Sequence, residues 1–160
     1  MATKVGYPSA SSGLLTDVDT AQRNVLGMQQ YDDAGNLYVY MPGVASLAAG
    51  DFVYYNISTW VPVRLLNTVK AGSVAVAMGA ILAANWGWFQ IGGIVASANI
   101  ATDAAGDQKA LYMGAVAGRA TTTAVGAQVI FGASAQGNPA SNVGNAYFAC
   151  PPFTVASATL

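Results

Sequence analysis

Histidine and glutamate are missing altogether from the 160 residues, and cysteine occurs once, at Cys150. Without histidine, neither a Ser-His-Asp nor a Cys-His arrangement can be assembled, and general acid–base chemistry loses its commonest carriers. Zinc sites draw on several Cys and His ligands and are excluded on residue count. The lone Cys150 cannot close a disulfide within the chain. It fits folding in a reducing cytoplasm and reads as a small, buried apolar residue. No catalytic residue, cofactor or metal is expected, and the chain reads as non-enzymatic.

Charge is the next scarcity. Only 8% of residues are charged, against about 25% in an ordinary globular protein. All seven acids are Asp, and the six bases, Lys4, Arg23, Arg64, Lys70, Lys109 and Arg119, are scattered, for a net charge of −1. Such scatter gives neither a phosphate-tracking stripe nor a polybasic membrane patch, so no nucleic acid partner is expected. Met1 to Gly6 carries one Lys and leads into Tyr7-Pro8-Ser9 rather than an apolar run, so no export signal is expected.

What is abundant is apolar surface: 54% hydrophobic residues with a positive mean hydropathy. Either the chain sits in a bilayer or neighbouring subunits cover much of its outer face. The bilayer reading rests on residues 71–94, inside an uncharged stretch longer than the ~20 residues of a spanning helix. Gly72, Gly79, Gly87, Gly92 and Gly93 interrupt that stretch, as do Ser73, Asn85 and Gln90. Glycines so spaced suit turns between strands better than a helix, and a membrane partner is not favoured.

Short apolar, aromatic and β-branched runs recur along the chain, at 37–41, 51–56, 60–66, 73–80, 86–91, 109–113, 127–131 and 146–150. Turn chemistry separates most of them: Asp32-Asp33-Ala34-Gly35-Asn36, Pro42-Gly43, Ala49-Gly50-Asp51, Ala71-Gly72, Gly92-Gly93, Gly106-Asp107 and Gly137-Asn138-Pro139. This pattern predicts an all-β fold, a compact sandwich or small barrel of short strands over 31–160, with an extended N-terminal arm over 1–30. A short helix over 16–28, capped by Thr16 or Asp17, is a minor expectation inside that arm. The Ala-rich pieces 44–49 and 95–105 read as loops or brief helical turns. Asp17-Val18-Asp19 and the 32–36 segment offer oxygens to a Ca²⁺, but neither has EF-hand spacing or its closing Glu, so both read as solvated turns.

The order of motifs carries a resemblance. Asp33-Ala34-Gly35-Asn36-Leu37-Tyr38-Val39-Tyr40 is followed by Ala48-Ala49-Gly50-Asp51-Phe52-Val53-Tyr54-Tyr55 and the 74–80 strand. Then come Trp86-Gly87-Trp88-Phe89-Gln90-Ile91-Gly92-Gly93 and a closing segment ending in Pro151-Pro152-Phe153. Over roughly residues 25–155 this series resembles the capsid decoration, or cement, proteins of tailed bacteriophages. The resemblance implies a β-rich subunit, usually a homotrimer, folded in the host cytoplasm and placed on the outer surface of the virion. There it would bind the major capsid protein and stabilise contacts between capsid subunits. The arm would then add a strand to a neighbour's sheet edge. Tyr38, Tyr40, Tyr54, Trp60, Trp86 and Trp88 become the candidates for core or subunit contacts. A head–tail or tail component, a small membrane protein using residues 71–94 and a carbohydrate-binding β module are the competing expectations.

Overall fold

A computed structural model describes residues 14–68, 72–101, 108–124 and 128–149. The described residues form an all-β fold with no helix. Its strands are β1 (Val18–Asp19), β2 (Gln29–Tyr31), β3 (Leu37–Pro42), β4 (Phe52–Tyr55), β5 (Pro62–Arg64) and β6 (Ser73–Ala77). They continue with β7 (Trp86–Asn99), β8 (Ala110–Met113), β9 (Ala120–Thr121), β10 (Val129–Ala140) and β11 (Val143–Phe148). Neighbouring strands pair antiparallel in the order β5-β4-β6-β7-β11-β10-β8-β9, while β3 lies on β7, β2 on β3, and β1 on β7. An isolated parallel bridge joins Ile100, just beyond β7, to Ala120 of β9, so the strands from β7 through β9 return on themselves. The result is a strongly curled sheet, the sandwich-or-barrel architecture expected from the strand pattern.

The long strand β7 is the spine, and alternation along it explains the core. In the first half, Phe89 and Ile91 face a cluster with Val39 and Met41 of β3, Val53 and Tyr55 of β4, and Ala75 and Ala77 of β6. Trp88, on the opposite face, meets Tyr38 and Tyr40. In the second half, Val95 and Ala98 join Phe52, Val74 and Val76 and the inner residues of β8 to β11. Strands β4 and β6 therefore contribute odd-numbered residues to one cluster and even-numbered residues to another. Strands buried on both faces read in sequence as continuous apolar runs, as 37–41 and 73–77 do.

Two expected separators lie inside strands. Gly92-Gly93 falls within β7, where pairing with β3 shifts register, and Gly93 has φ 87°. A Cβ there would sit 2.1 Å from Asn36 Oδ1. Gln90, fully buried, donates from Nε2 to the carbonyls of Gly92 and Ile94, both at 3.0 Å, and so holds the bend. The glycine pair lets one strand leave one set of partners for another. Likewise, Gly137-Asn138-Pro139 is an irregular stretch of β10, where pairing with β11 shifts register. The β10–β11 turn is instead Ser141-Asn142, both with positive φ, as a two-residue type I′ hairpin requires.

Two further expectations change. Residues 16–28 form no helix; β1 pairs with β7 at Val18–Gly87 and Asp19–Trp86, because the segment buries more by lying on the sheet than a marginal isolated helix could. Residues 95–99, part of a piece expected as loop or brief helical turn, complete β7, with Val95 and Ala98 turned into the core. Residues 72–94 fold as β6, a turn and the first part of β7, in line with the strands and glycine turns expected there and not with the competing spanning helix. Among the described residues, no helix is long and apolar enough to cross a membrane. Residues 1–13 of the expected arm, Lys4, Lys70, the Gly106-Asp107 turn, Cys150 and the Pro151-Pro152-Phe153 ending lie outside the described residues. Residues 14–30 lie along the chain's own sheet, where Leu15, Leu26 and Met28 pack on the Tyr38-Tyr40-Trp88 cluster.

Candidate interaction surfaces

The six aromatic candidates separate into three places. Tyr38, Tyr40, Trp86 and Trp88 come together on the outer side of β3 and β7, under residues 15–28. There Tyr40 and Trp88 meet edge-on with ring centroids 5.2 Å apart. Tyr54, half-buried, packs against the cluster inside the β7–β11 region. Trp60 stands apart at the β4–β5 turn, stacked on Tyr55 at 5.9 Å. Its φ of 57° is unusual for so bulky a residue, and its N–H is fixed to the Asn56 carbonyl at 2.7 Å. The indole leaves no room for a side chain at position 27, where a Cβ would fall 2.1 Å from the ring. Gly27 therefore ties the N-terminal segment to this turn.

Two carboxylates tether the N-terminal part of the chain through tyrosines. The Tyr40 hydroxyl donates to Asp19 Oδ2 at 2.7 Å, and Arg23 Nε lies 3.2 Å from Asp19 Oδ1. The Tyr38 hydroxyl donates to Asp32 Oδ2 at 2.9 Å. Burial and these acceptors push both phenols from 10.0 up to about 12. Burial alone pushes Tyr55 up to about 12, against a Ser73 hydrogen bond that lowers it. At Asp32, burial raises the carboxyl, but hydrogen bonds from Asn36, Tyr38 and Ala34 outweigh it and leave the pKa below 3.8. Both segments weighed for Ca²⁺ thus spend oxygens on their own chain: Asp17 accepts from Leu14 N–H, and Asp32 from Ala34 and Asn36. No group of three metal-ligating side chains occurs among the described residues.

A polar node absent from the sequence reading joins the two parts of the sheet. Asp51, 1% exposed, accepts from Ala48 N–H, from Arg64 Nε at 3.1 Å and from Asn99 Nδ2 at 2.7 Å. Arg64 also donates to the Ala117 carbonyl at 2.8 Å. Gly118 has φ 81°, and a Cβ there would meet the Asp51 carboxylate. Both carboxylate oxygens are engaged by the fold, so this is a structural joint. In sequence, Asp51 was indistinguishable from any turn residue after glycine.

Exposed large apolar side chains include Leu14, Val18, Val25 and Tyr31 near the N-terminal strands and Leu82 and Val116 between strands, and two further groups lie on the sheet. Ile57, Val61 and Val63 lie on β5 and its turn, while Ile94, Phe131, Val143 and Tyr147 lie on β7, β10 and β11. The second group had a visible signal, since the chain carries no charge after Arg119.

No family model matches the chain, and no curated protein matches it. Among solved structures, it is similar to a chain from the structure titled "The capsid of Myoviridae Phage XM1". That chain is 15% identical, with a TM-score of 0.54 over 81% of this chain and 95% of the other. The likeness is one of fold and takes in almost the whole of the other chain.

Proposed function

We propose that this chain is a non-enzymatic virion structural protein, a decoration (cement) subunit. On this reading it forms a homotrimer on the outer surface of a phage head and ties neighbouring major capsid subunits together. The observation that supports it most directly is the shared fold with a phage capsid chain, matched almost end to end. Composition agrees: a surface with few charges and several exposed Ile, Val, Phe and Tyr side chains suits a protein covered by others. A subunit that binds only the assembled shell stabilises it by mass action, with no bond made or broken.

The test adds purified protein to shells assembled from the major capsid protein of the same phage. Saturable co-sedimentation, together with a higher temperature of shell disruption, is the expected result. Protein that stays in the supernatant over intact shells overturns the proposal.

A further inference from the structure

The second half of β7 lies beside β11, and β11 beside β10, in one antiparallel surface. Residues 93–99, 129–140 and 143–148 of that surface include no charged residue. Inward-facing side chains such as Val95, Ala133 and Phe148 fill the core. On the outside, Ile94, Tyr147 and Ser134 stand in register across the three strands, and Asn145 stands opposite Gln136 one row on. Ile94 is 56% exposed and Tyr147 42%, and Phe131, 47% exposed, lies three residues before Ser134 on β10. Charges come in only at the margins. Lys109 accepts at its carbonyl from Ala135 N–H on the β8 side, and the Asp32-Asp33 turn leads to Asn36, which accepts from Ile94 N–H.

Symmetry decides which partner such a face fits. Where identical subunits meet around a rotation axis, residues near the axis face their own copies, so any charge there meets a like charge, at a cost of several kcal/mol. A contact with a different protein carries no such constraint and gains register from opposite charges. We propose that the outer face of β7, β11 and β10 is where copies of this chain meet, with Ile94, Tyr147 and Phe131 as its anchors. This rests on the trimer reading above and assigns that trimer its contact. Aromatic and aliphatic anchors among uncharged polar neighbours match the composition of subunit interface centres.

The experiment measures molar mass by light scattering after size exclusion, without detergent, for the full chain and three variants. The wild type is expected near three times 16.3 kDa. Ile94→Asp and Tyr147→Lys, each placing like charges around the axis, are expected near 16.3 kDa with an unchanged circular dichroism spectrum. Val61→Asp, on the remote β4–β5 turn, is expected to keep the wild-type mass. Either face variant folded and still trimeric overturns the assignment while leaving the trimer standing. A wild type that is monomeric at every concentration overturns both. Should Ile94→Asp fail to fold, Tyr147→Lys alone decides.

Discussion

Along β7, positions 86–92 are covered on both faces, whereas positions 93–99 are covered on one. The first half carries the larger outward residues, Trp86 and Trp88, and the chain lays its own residues 15–28 over them. The second half turns Ile94, Ala96 and Ser97 outward, and none of these is buried. One strand thus has a face closed by its own chain and a face left open, with Gly93 at the change. Composition alone does not separate the halves, since both are uncharged; the difference lies in which parts of the chain return to cover them.

The largest expected effect compares outward positions of the two halves. Trp88→Ala empties the site beneath residues 15–28 and is expected to cost about 3–5 kcal/mol, on the order of 6–20 °C in Tm for a chain of this size. Ala96→Ser, also outward but on the open half, is expected to stay within about 0.5 kcal/mol. Denaturant unfolding of both variants checks the contrast; similar losses would mean that the second half is covered as well.

Next is the joint between the halves. Asp51 connects the start of β4 and the Arg64 side chain to Asn99 at the end of β7. Asp51→Ala leaves a guanidinium, an amide and the Ala48 N–H without their acceptor, and is expected to cost about 3 kcal/mol. The loss should appear as one cooperative shift. If the two parts of the sheet instead unfold in separate steps, Asp51 is what couples them.

Smaller is the tether over the closed face. Tyr40→Phe removes the hydrogen bond to Asp19 and is expected to cost about 2 kcal/mol, the scale for a bond to a charged group. Cleavage by trypsin at exposed Arg23 should then quicken, because the segment is held less firmly. The same tyrosines set an alkaline limit. Tyr38, Tyr40 and Tyr55 keep their protons to about 12 in the fold, above 10.0. The native state binds those protons more tightly than the unfolded chain does. The stability they contribute is whole below pH 10 and is lost as pH rises through about 12. A spectrophotometric titration should show late-ionising tyrosines whose absorbance rises together with unfolding.

The strand pattern was legible because doubly buried strands such as β3 and β6 read as apolar runs, and because the 32–36 turn carries its own chemistry in Asp32 and Asn36. The bends were not. Gly92-Gly93 and Gly137-Asn138-Pro139 have the same composition as turns, and only pairing partners distinguish a bulge within a strand from a loop between strands. Ser141-Asn142 lacks the glycine that marks most type I′ turns, so the actual hairpin was hidden. The aromatic candidates stand out in the sequence as large side chains, but the sequence has no signal that residues 15–28 come back over four of them. Asp51 needed Arg64 and Asn99, distant in sequence, to become more than a turn residue.

The smallest expected effect sharpens the view of the two bends. Gly93 and Gly137 share a left-handed φ, 87° and 77°. A side chain at 93 would strike Asn36, whereas nothing lies within 4 Å of one at 137. Gly137→Ala therefore meets only backbone strain, about 1 kcal/mol, partly offset by the entropy that alanine removes from the unfolded chain. Gly93→Ala adds to the same strain the displacement of Asn36 and the loss of its hydrogen bond from Ile94 N–H. The pair of substitutions separates conformation from crowding. A clearly larger loss at 93 places the cost in the packing of the β2–β3 turn against β7. Equal losses at both sites would mean that Asn36 moves aside freely and that the bend is held by Gln90 alone.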